Sequence, residues 1–205
     1  MSDFTEEEDL EIYAEEETAV LAVPSGGEDF EAAGNAKASA SEAKSSGNYD
    51  AAVEYFTTAM ELGGASAMTL ANRADCLLKA KRPLAALSDC DEALKINPDS
   101  AKSLRCRGTT LRHLGRYEES LKSLVAAQAI DFNPDTEEIR LFVSKKVAAI
   151  EAQKVQQRLA DEEILREKVR KQREELAQRR EEEAAEERER ARAQAGGMGG
   201  MPGGM

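Results

Sequence analysis

The sequence matches itself when it is shifted by 34 residues, and three consecutive stretches align in this way. The aligned positions are Tyr49, Pro83 and Tyr117; Ala52, Ala86 and Ser120; Phe56, Cys90 and Leu124; Ala59, Ala93 and Ala127; Leu62, Ile96 and Ile130. A repeat of this length is typical of a helix-turn-helix unit. Because one unit cannot bury its own apolar face, three in tandem predict a stacked solenoid whose concave side is available to hold another protein.

Local signals predict where the helices of each repeat begin and end. In the middle repeat, apolar residues recur at three- and four-residue spacing, Pro83 begins the second helix, and Pro98 follows its end. Gly47 and Gly115 are predicted to form the turns of the outer repeats, since glycine tolerates positive φ after a helix. Each repeat is therefore expected to be two helices joined by a tight turn.

A further helix from about Asp135 is predicted to cover the open apolar face of the third repeat. Asp135 and Glu138 have the spacing of a capping box, with Asp as a variant of the usual Ser or Thr. The apolar residues with helical spacing in this segment are Ile139, Phe142, Val143, Val147 and Ile150. We expect this face to pack on the solenoid.

From Ala33 to about Phe132 the chain resembles the tetratricopeptide repeat family, most clearly in "LANRADCLLKAKRPLAALSDCDEALKINPDS". Small residues stand where paired helices of that family approach closely, at Ala74, Ala86 and Ala93. The resemblance implies an all-α fold with three tetratricopeptide helix-turn-helix repeats in a short solenoid and a capping helix extending into a long charged helix. The predicted division is an acidic arm (1–31), the repeats (32–132), the capping and charged helix (133–195) and a Gly/Met-rich flexible tail (196–205).

The acidic residues are unevenly distributed along the chain. Residues 1–31 hold 12 acidic residues and no Lys or Arg, which equals the formal net charge of the whole chain, −12. Such a segment is expected to stay disordered, because it cannot bury enough apolar area to offset its chain entropy. A second interpretation is that its apolar residues, such as Leu10, Tyr13 and Val20, dock on a partner or mediate homodimerisation.

The first helices of the repeats are predicted to line a basic groove. Projection onto these helices places seven candidate partner-binding residues there, together with Asp75: Lys37, Lys44, Asn72, Lys79, Lys102, Arg105 and Arg112. A basic groove favours an acidic protein surface or a carboxylate-rich tail. The alternative is that these cations only keep an exposed face soluble. A nucleic-acid partner is not expected, since the chain is net negative and no aromatic platform accompanies the cations.

The sequence indicates a binding protein with no catalytic, cofactor or metal site. Cys76, Cys90 and Cys106 have no CxxC pair and no zinc-site spacing, and His113 is the single histidine. No nucleophile and base, metal cluster or phosphate loop occurs at a recognisable spacing, so we expect no enzyme. Free thiols and the lack of a long apolar run predict a cytoplasmic protein without membrane association.

The segment after Ile150 contains strong helix formers up to Gln194 and predicts one long helix supported by acidic-to-basic pairs four residues apart. Its apolar residues keep no sustained heptad, which favours a solvated helix over a coiled coil. The chain thus has an acidic arm, three repeats, a charged helix and a "GGMGGMPGGM" stretch, in that order. This arrangement resembles that of the Hip family of cochaperones. That resemblance implies binding to the nucleotide-binding domain of a 70-kDa heat-shock chaperone, slower ADP release and a stabilised ADP-bound state.

Two other functions stay open from the residues alone. Relatives that hold acidic C-terminal tails of heat-shock chaperones use a carboxylate clamp of Lys, Asn, Asn, Lys and Arg. Lys37, Asn72 and Lys102 fall on clamp positions, whereas Ser41 and Cys106 replace the second Asn and the Arg, a loss that Arg105 or Arg107 would have to compensate. The other alternative is a non-enzymatic assembly scaffold that acts through the long helix.

Overall fold

The computed structural model describes residues 23–24 and 27–196, with side chains up to residue 192. Within these residues lie seven α-helices and no strand: α1 (Phe30–Ser45), α2 (Tyr49–Ala59), α3 (Ala67–Lys79), α4 (Pro83–Ile96), α5 (Ala101–His113), α6 (Tyr117–Ile130) and α7 (Pro134–Gly196). A π-helical turn, Met60–Gly64, follows α2. The all-α prediction is confirmed. Most of the predicted disordered arm (1–31) and flexible tail (196–205), and the homodimer contact assigned to the arm, lie outside the described residues. Helix α1 begins at Phe30, inside the predicted arm, and α7 ends at Gly196, the first residue of the predicted tail.

The first six helices form three pairs that stack in chain order. The pairs are α1 with α2, α3 with α4 and α5 with α6, and α2 also packs on α3 and α4 on α5. At the small-residue position of the first helices, Ala40 and Ala74 are fully buried, and Gly108 follows in the third repeat. A Cβ on Gly108 would lie 2.6 Å from Cγ of Leu124, so the close approach of α5 to α6 requires glycine there.

The turns inside the pairs share one backbone conformation. Gly47 and Gly115 have φ of 79° and 70°, which confirms the predicted turns, and Lys81 holds the equivalent place in the middle repeat with φ of 60°. The left-handed region is unfavourable for a residue with a Cβ. The middle repeat therefore carries backbone strain that glycine avoids in the other two.

Lys81→Gly is expected to raise the free energy of unfolding by about 0.5–1 kcal/mol, because relief of the left-handed strain outweighs the larger chain entropy of glycine. The matched control is Gly47→Ala, which should lower the same quantity by about 1 kcal/mol. A Cβ at Gly47 meets nothing within 4 Å, so its effect reports the backbone alone. Urea unfolding of both variants measures the two free energies. Changes of the same sign in the free energy of unfolding would contradict the prediction.

A buried ion pair links the two helices of the middle repeat. Arg73 of α3 is fully buried, and its Nε and Nη2 each donate to a carboxylate oxygen of Asp89 on α4 at 2.7 Å. Its Nη1 donates to Oγ1 of Thr57 on α2 at 3.0 Å, which ties the middle repeat to the first. Burial raises the pKa of Asp89, while the hydrogen bond and charge of Arg73 oppose that rise.

A similar arrangement occurs 34 residues later, around Arg107 of α5. Here the carboxylate comes from the preceding repeat and the hydroxyl from the arginine's own repeat, the reverse of the arrangement around Arg73. Nε of Arg107 donates to Oδ1 of Asp91 on the preceding α4, and Nη1 donates to Oγ of Ser123 on α6, both at 2.7 Å. Asp91 is 34 residues from Thr57, and Ser123 is 34 from Asp89. In both repeats an arginine therefore joins the second helices of neighbouring repeats, although the third-repeat copy is partly exposed.

The beginning of α7 packs on the third repeat, as expected for a capping helix. Val143 is fully buried. The Arg112 guanidinium of α5 lies over the Phe142 ring, 5.2 Å from the ring centroid. The predicted capping box is wrong: the helix begins at Pro134, and Oδ1 of Asn133 accepts from the Thr136 amide at 2.9 Å. Proline suits the first helical position because the amide there needs no partner.

The chain divides into two compact units, one ending at Ala149 and the other beginning at Ile150. Residues 150–196 of the second unit are a single helix, as predicted. Three of the predicted pairs are within ion-pair distance: Glu162 with Arg166, Glu167 with Lys171 and Glu186 with Arg190. Each exposed pair contributes only about 0.2–0.5 kcal/mol, so the helix depends mainly on the propensity of its residues.

Candidate functional site

Two lysine side chains, one from each of the first two repeats, lie close to the Asp75 carboxylate on α3. Lys44 of α1 forms an ion pair with Oδ2 of Asp75, and Nζ of Lys79 lies 4.0 Å from the same oxygen. Nζ of Lys79 also lies 5.4 Å from the centroid of the Tyr49 ring. Burial lowers the pKa of Lys44, but the hydrogen bond and charge of Asp75 outweigh that effect and the pKa is raised overall.

A second polar contact joins the middle and third repeats. The Lys102 ammonium on α5 donates to Oδ1 of Asn72 on α3. Burial and the nearby charge of Lys44 lower the pKa of Lys102 despite the attraction of Asp75. Lys102 is therefore a half-buried cation whose charge its surroundings only partly compensate. Lys44, Asn72, Asp75, Lys79 and Lys102 are called the Asp75 cluster below.

A shallow cleft of about 200 Å³ lies between α3 and α5 beside this cluster. Its lining combines polar and apolar groups: Ala71, Asp75, Leu78, Lys102, Arg105, Cys106 and Thr109. Arg105 is anchored from the far side, because its Nη1 and Nη2 both donate to Oδ2 of Asp131 at 2.9 Å. That anion follows α6 and was absent from the predicted groove, so the groove is less basic than projection of the first helices indicated.

Two of the seven predicted site residues lie against other features. The Lys37 side chain lies against Gly64, and a Cβ added to Gly64 would be 2.9 Å from Cε of Lys37. Arg112 lies over Phe142 of α7. The structure thus joins Lys44, Asn72, Lys79 and Lys102 in one cluster, with Arg105 at the edge of the adjoining cleft.

Two of the five clamp positions, Ser41 and Cys106, carry side chains that differ from those of the clamp. Ser41 donates its hydroxyl to the Lys37 carbonyl at 3.0 Å, and Asn72 is bonded to Lys102. Cys106 is 9% exposed and supplies no cation where the clamp has arginine. Arg107, one of the two proposed substitutes, instead binds Asp91 and Ser123.

Sequence reasoning missed Asp131 and the partners of the two bridging arginines. A signal for the arginines was present, since Arg73 and Arg107 are in the 34-residue register and each has candidate partners 16 residues away on both sides. No comparable signal identified Asp131, because it lies in the loop after α6. In residues 27–192, no group of three or more His, Cys, Asp or Glu side chains is placed to hold a metal ion. None of the described helices is both long and apolar enough to cross a membrane.

Comparison with known proteins supports the assignment of the repeats. Tetratricopeptide repeat profiles match residues 38–62 and 90–122. The Arabidopsis OM64 TPR domain is 27% identical, with a TM-score of 0.56, and the match covers 58% of this chain and 98% of that domain. These are tetratricopeptide repeats. The resemblance on which the fold prediction rested is confirmed.

Two curated relatives extend the similarity beyond the repeat type. The TPR repeat-containing thioredoxin TDX of Arabidopsis thaliana is 40% identical over 109 residues, 53% of this chain and 28% of the relative. Hsc70-interacting protein 1 of Drosophila melanogaster is 34% identical over 130 residues, 63% of this chain and 34% of the relative. The chain is thus similar to Hsc70-interacting proteins, as the Hip resemblance indicated. The similarity spans about a third or less of either relative.

Proposed function

We propose that this protein is a noncatalytic cochaperone that binds the nucleotide-binding domain of a 70-kDa heat-shock chaperone and stabilises its ADP-bound state. The observation that carries the proposal is the Asp75 cluster, in which Lys44 and Lys79 lie at the Asp75 carboxylate and Lys102 donates a hydrogen bond to Asn72 of the same helix. The similarity to Hsc70-interacting proteins supports the choice of chaperone.

The cluster suits an extended acidic surface. Its cations come from three successive first helices, so a partner that contacts all of them must present several carboxylates across a face. Lys102 gains most from such a partner, because its pKa is lowered by burial and by Lys44 in the unbound protein. Stabilisation of the ADP state then requires only that this face of the chaperone fit the cluster better in that state.

Capture of an acidic chaperone tail is the second candidate, favoured by the presence of Lys37, Asn72 and Lys102 at clamp positions. Its weakness is the replacement of the clamp arginine by Cys106, since a guanidinium binds a carboxylate through two parallel hydrogen bonds that a thiol cannot make. A tail peptide should accordingly bind more weakly than the nucleotide-binding domain.

The proposal is tested with separate chaperone parts. We expect the isolated nucleotide-binding domain to bind more tightly with ADP than with ATP, and release of fluorescent ADP to slow when this protein is added. A C-terminal tail peptide, measured by the same titration, should bind weakly and leave ADP release unchanged. Equal release rates with and without this protein would reject the lead proposal, and tight binding of the tail alone would favour the second candidate.

Charge reversal in the cluster should slow association. The double variant Lys79→Glu/Lys102→Glu is expected to lower the association rate constant about tenfold or more and to weaken or reverse its salt dependence, because it removes the electrostatic attraction. The matched control is Lys95→Glu/Lys122→Glu, which makes the same charge change on the second helices α4 and α6. Stopped-flow binding measures both, and equal slowing would show that only net charge matters.

A further inference from the structure

The chain reaches the first repeat through a close contact between two backbone segments. Gly27 lies against the π-helical turn, Met60–Gly64, since a Cβ added to Gly27 would be 2.1 Å from the Glu61 carbonyl oxygen. The contact is mutual, because a Cβ added to Gly63 would be 2.1 Å from the Gly27 carbonyl oxygen. Carbon atoms pack at about 3.5–4.0 Å, so neither position has room for a side chain. The segment preceding α1 is therefore held against this turn at Gly27.

The turn that holds Gly27 also borders the first-repeat end of the predicted groove. A Cβ added to Gly64 would be 3.0 Å from Nζ of Lys37, so the Lys37 ammonium lies beside the turn. Lys44 of the Asp75 cluster follows Lys37 by seven residues, which places both lysines on one face of α1, about 10 Å apart. The residues before Gly27 therefore join the solenoid next to the groove.

Residues 1–22 and the Asp75 cluster carry opposite charge. Residues 1–22 include nine Asp or Glu and no Lys or Arg. The cluster contains three ammonium groups, one carboxylate and one amide, which leaves two positive charges. Its side chains are partly open to solvent, with the Lys79 side chain 46% exposed and the Asp75 side chain 31% exposed. The cluster is thus accessible to carboxylates and attracts them.

The chain is long enough to bring carboxylates of residues 1–22 to the cluster. Glu17 precedes Gly27 by ten residues, and ten residues span at most about 35 Å. The farthest lysine of the cluster, Lys102, lies on α5, two first helices beyond α1. Its distance from the turn is at most roughly 30 Å, from about 10 Å along α1 and two helix spacings of about 8–10 Å. The glutamates at 15–17 are therefore within reach of every lysine in the cluster.

We propose that the glutamates at 15–17 occupy the Asp75 cluster of their own chain when no partner is bound. A tethered segment binds intramolecularly, at an effective concentration on the order of millimolar, so weak exposed contacts suffice to hold it there. A partner that presents a larger acidic face displaces it, because such a partner makes more contacts with the cluster. Residues 1–22 therefore act as an internal competitor for the groove. Competition with a chaperone rests on the proposed function, whereas the internal contact does not.

Carbodiimide cross-linking of the full chain tests the internal contact without a chaperone. The reagent joins a carboxylate to an amine only where the two are in contact, and trypsin leaves residues 1–37 as one peptide because Lys37 is the first basic residue. We expect this peptide to be linked through 15–17 to Lys44, Lys79 or Lys102. About 1 M salt should reduce the yield several-fold, because it screens the attraction.

Three results of the cross-linking would overturn the proposal. The first is the absence of any link from residues 1–22. The second is linkage mainly to Lys95 and Lys122 on the second helices, which would mean that residues 1–22 have no preference for the cluster. The third is found by mixing isotopically labelled and unlabelled chains: links only between the two kinds of chain would assign the cluster to residues 1–22 of a second copy.

The competition is measured with an acidic probe, fluorescein-labelled octaglutamate. The triple variant E15Q/E16Q/E17Q should bind the probe about three- to tenfold more tightly than the unchanged chain, because its internal carboxylates no longer compete. Fluorescence anisotropy at one low salt concentration gives both affinities. Equal affinities, or no binding of the probe, would overturn the proposal whatever the chaperone experiments show.

The matched control is E6Q/E7Q/E8Q, which makes the same charge change farther from the anchor. These residues precede Gly27 by 19–21 positions, and a longer loop lowers the effective concentration of its end. This variant should therefore bind the probe about twofold more tightly at most. An effect as large as that of E15Q/E16Q/E17Q would show that only the net charge of the chain matters.

Discussion

Replacement of Asp89 by alanine is expected to lower the free energy of unfolding by about 3–5 kcal/mol, the largest single-residue effect that we predict. Arg73 is fully buried and directs two of its nitrogens to Asp89, each at 2.7 Å. Without the carboxylate, a guanidinium that cannot lose its proton stays buried and keeps its hydrogen bond to the neutral hydroxyl of Thr57. Against a typical domain stability of about 5–15 kcal/mol, this change threatens folding of the solenoid.

The third repeat supplies the control for this prediction. Asp91→Ala removes the equivalent carboxylate from Arg107, but that pair is partly exposed and should contribute about 1 kcal/mol or less. The double variant Arg73→Met/Asp89→Leu should recover most of the stability lost in Asp89→Ala, since an apolar pair leaves no buried charge. Denaturant unfolding of the variants measures these values, and similar losses for Asp89→Ala and Asp91→Ala would refute the role given to burial.

Much of the fold was predictable because its determinants are periodic. The register of Phe56, Cys90 and Leu124 identified positions that are all buried, and Pro83 begins α4 as expected. A helix that is uncertain from its own residues can still be assigned, because two other helices with the same apolar pattern lie 34 or 68 residues away in the sequence. Where the pattern is present once only, the prediction was less exact: the cap of α7 is Asn133, because its side chain reaches the Thr136 amide and Asp135 already lies inside the helix.

The candidate site was predictable only as a helix face. Helical spacing placed Lys44, Lys79 and Lys102 on the first helices, but it does not specify which carboxylate or amide each would contact. The ion pair between Arg105 of α5 and Asp131 was not predicted, because Asp131 lies in the loop after α6 and not on a helix face. Contacts between residues far apart in sequence depend on how helices pack, and a single sequence carries little information about them.

Truncation at two points should separate the capping role of α7 from its role in binding. A chain ending at Asn133 loses Val143, Phe142 and Thr136, which are buried or half-buried against the third repeat, and should lose roughly 3–5 kcal/mol of unfolding free energy. A chain ending at Lys154 keeps this face and should unfold within a few degrees of the full chain, because stability in stacked repeats comes from neighbouring units. Equal stability of both truncations would show that α7 does not cap the solenoid.

The chain ending at Lys154 also tests whether the charged helix takes part in partner binding. We expect it to bind the nucleotide-binding domain several-fold more weakly than the full chain, because residues 155–192 carry both charge signs and offer a second polar contact surface. A chain ending at Ala195 is the matched control, since it keeps the helix up to that residue and removes only the Gly/Met-rich stretch, and its affinity should equal that of the full chain. Titration of all three under one salt condition decides the matter: equal affinities would confine recognition to the repeats and make the helix a spacer.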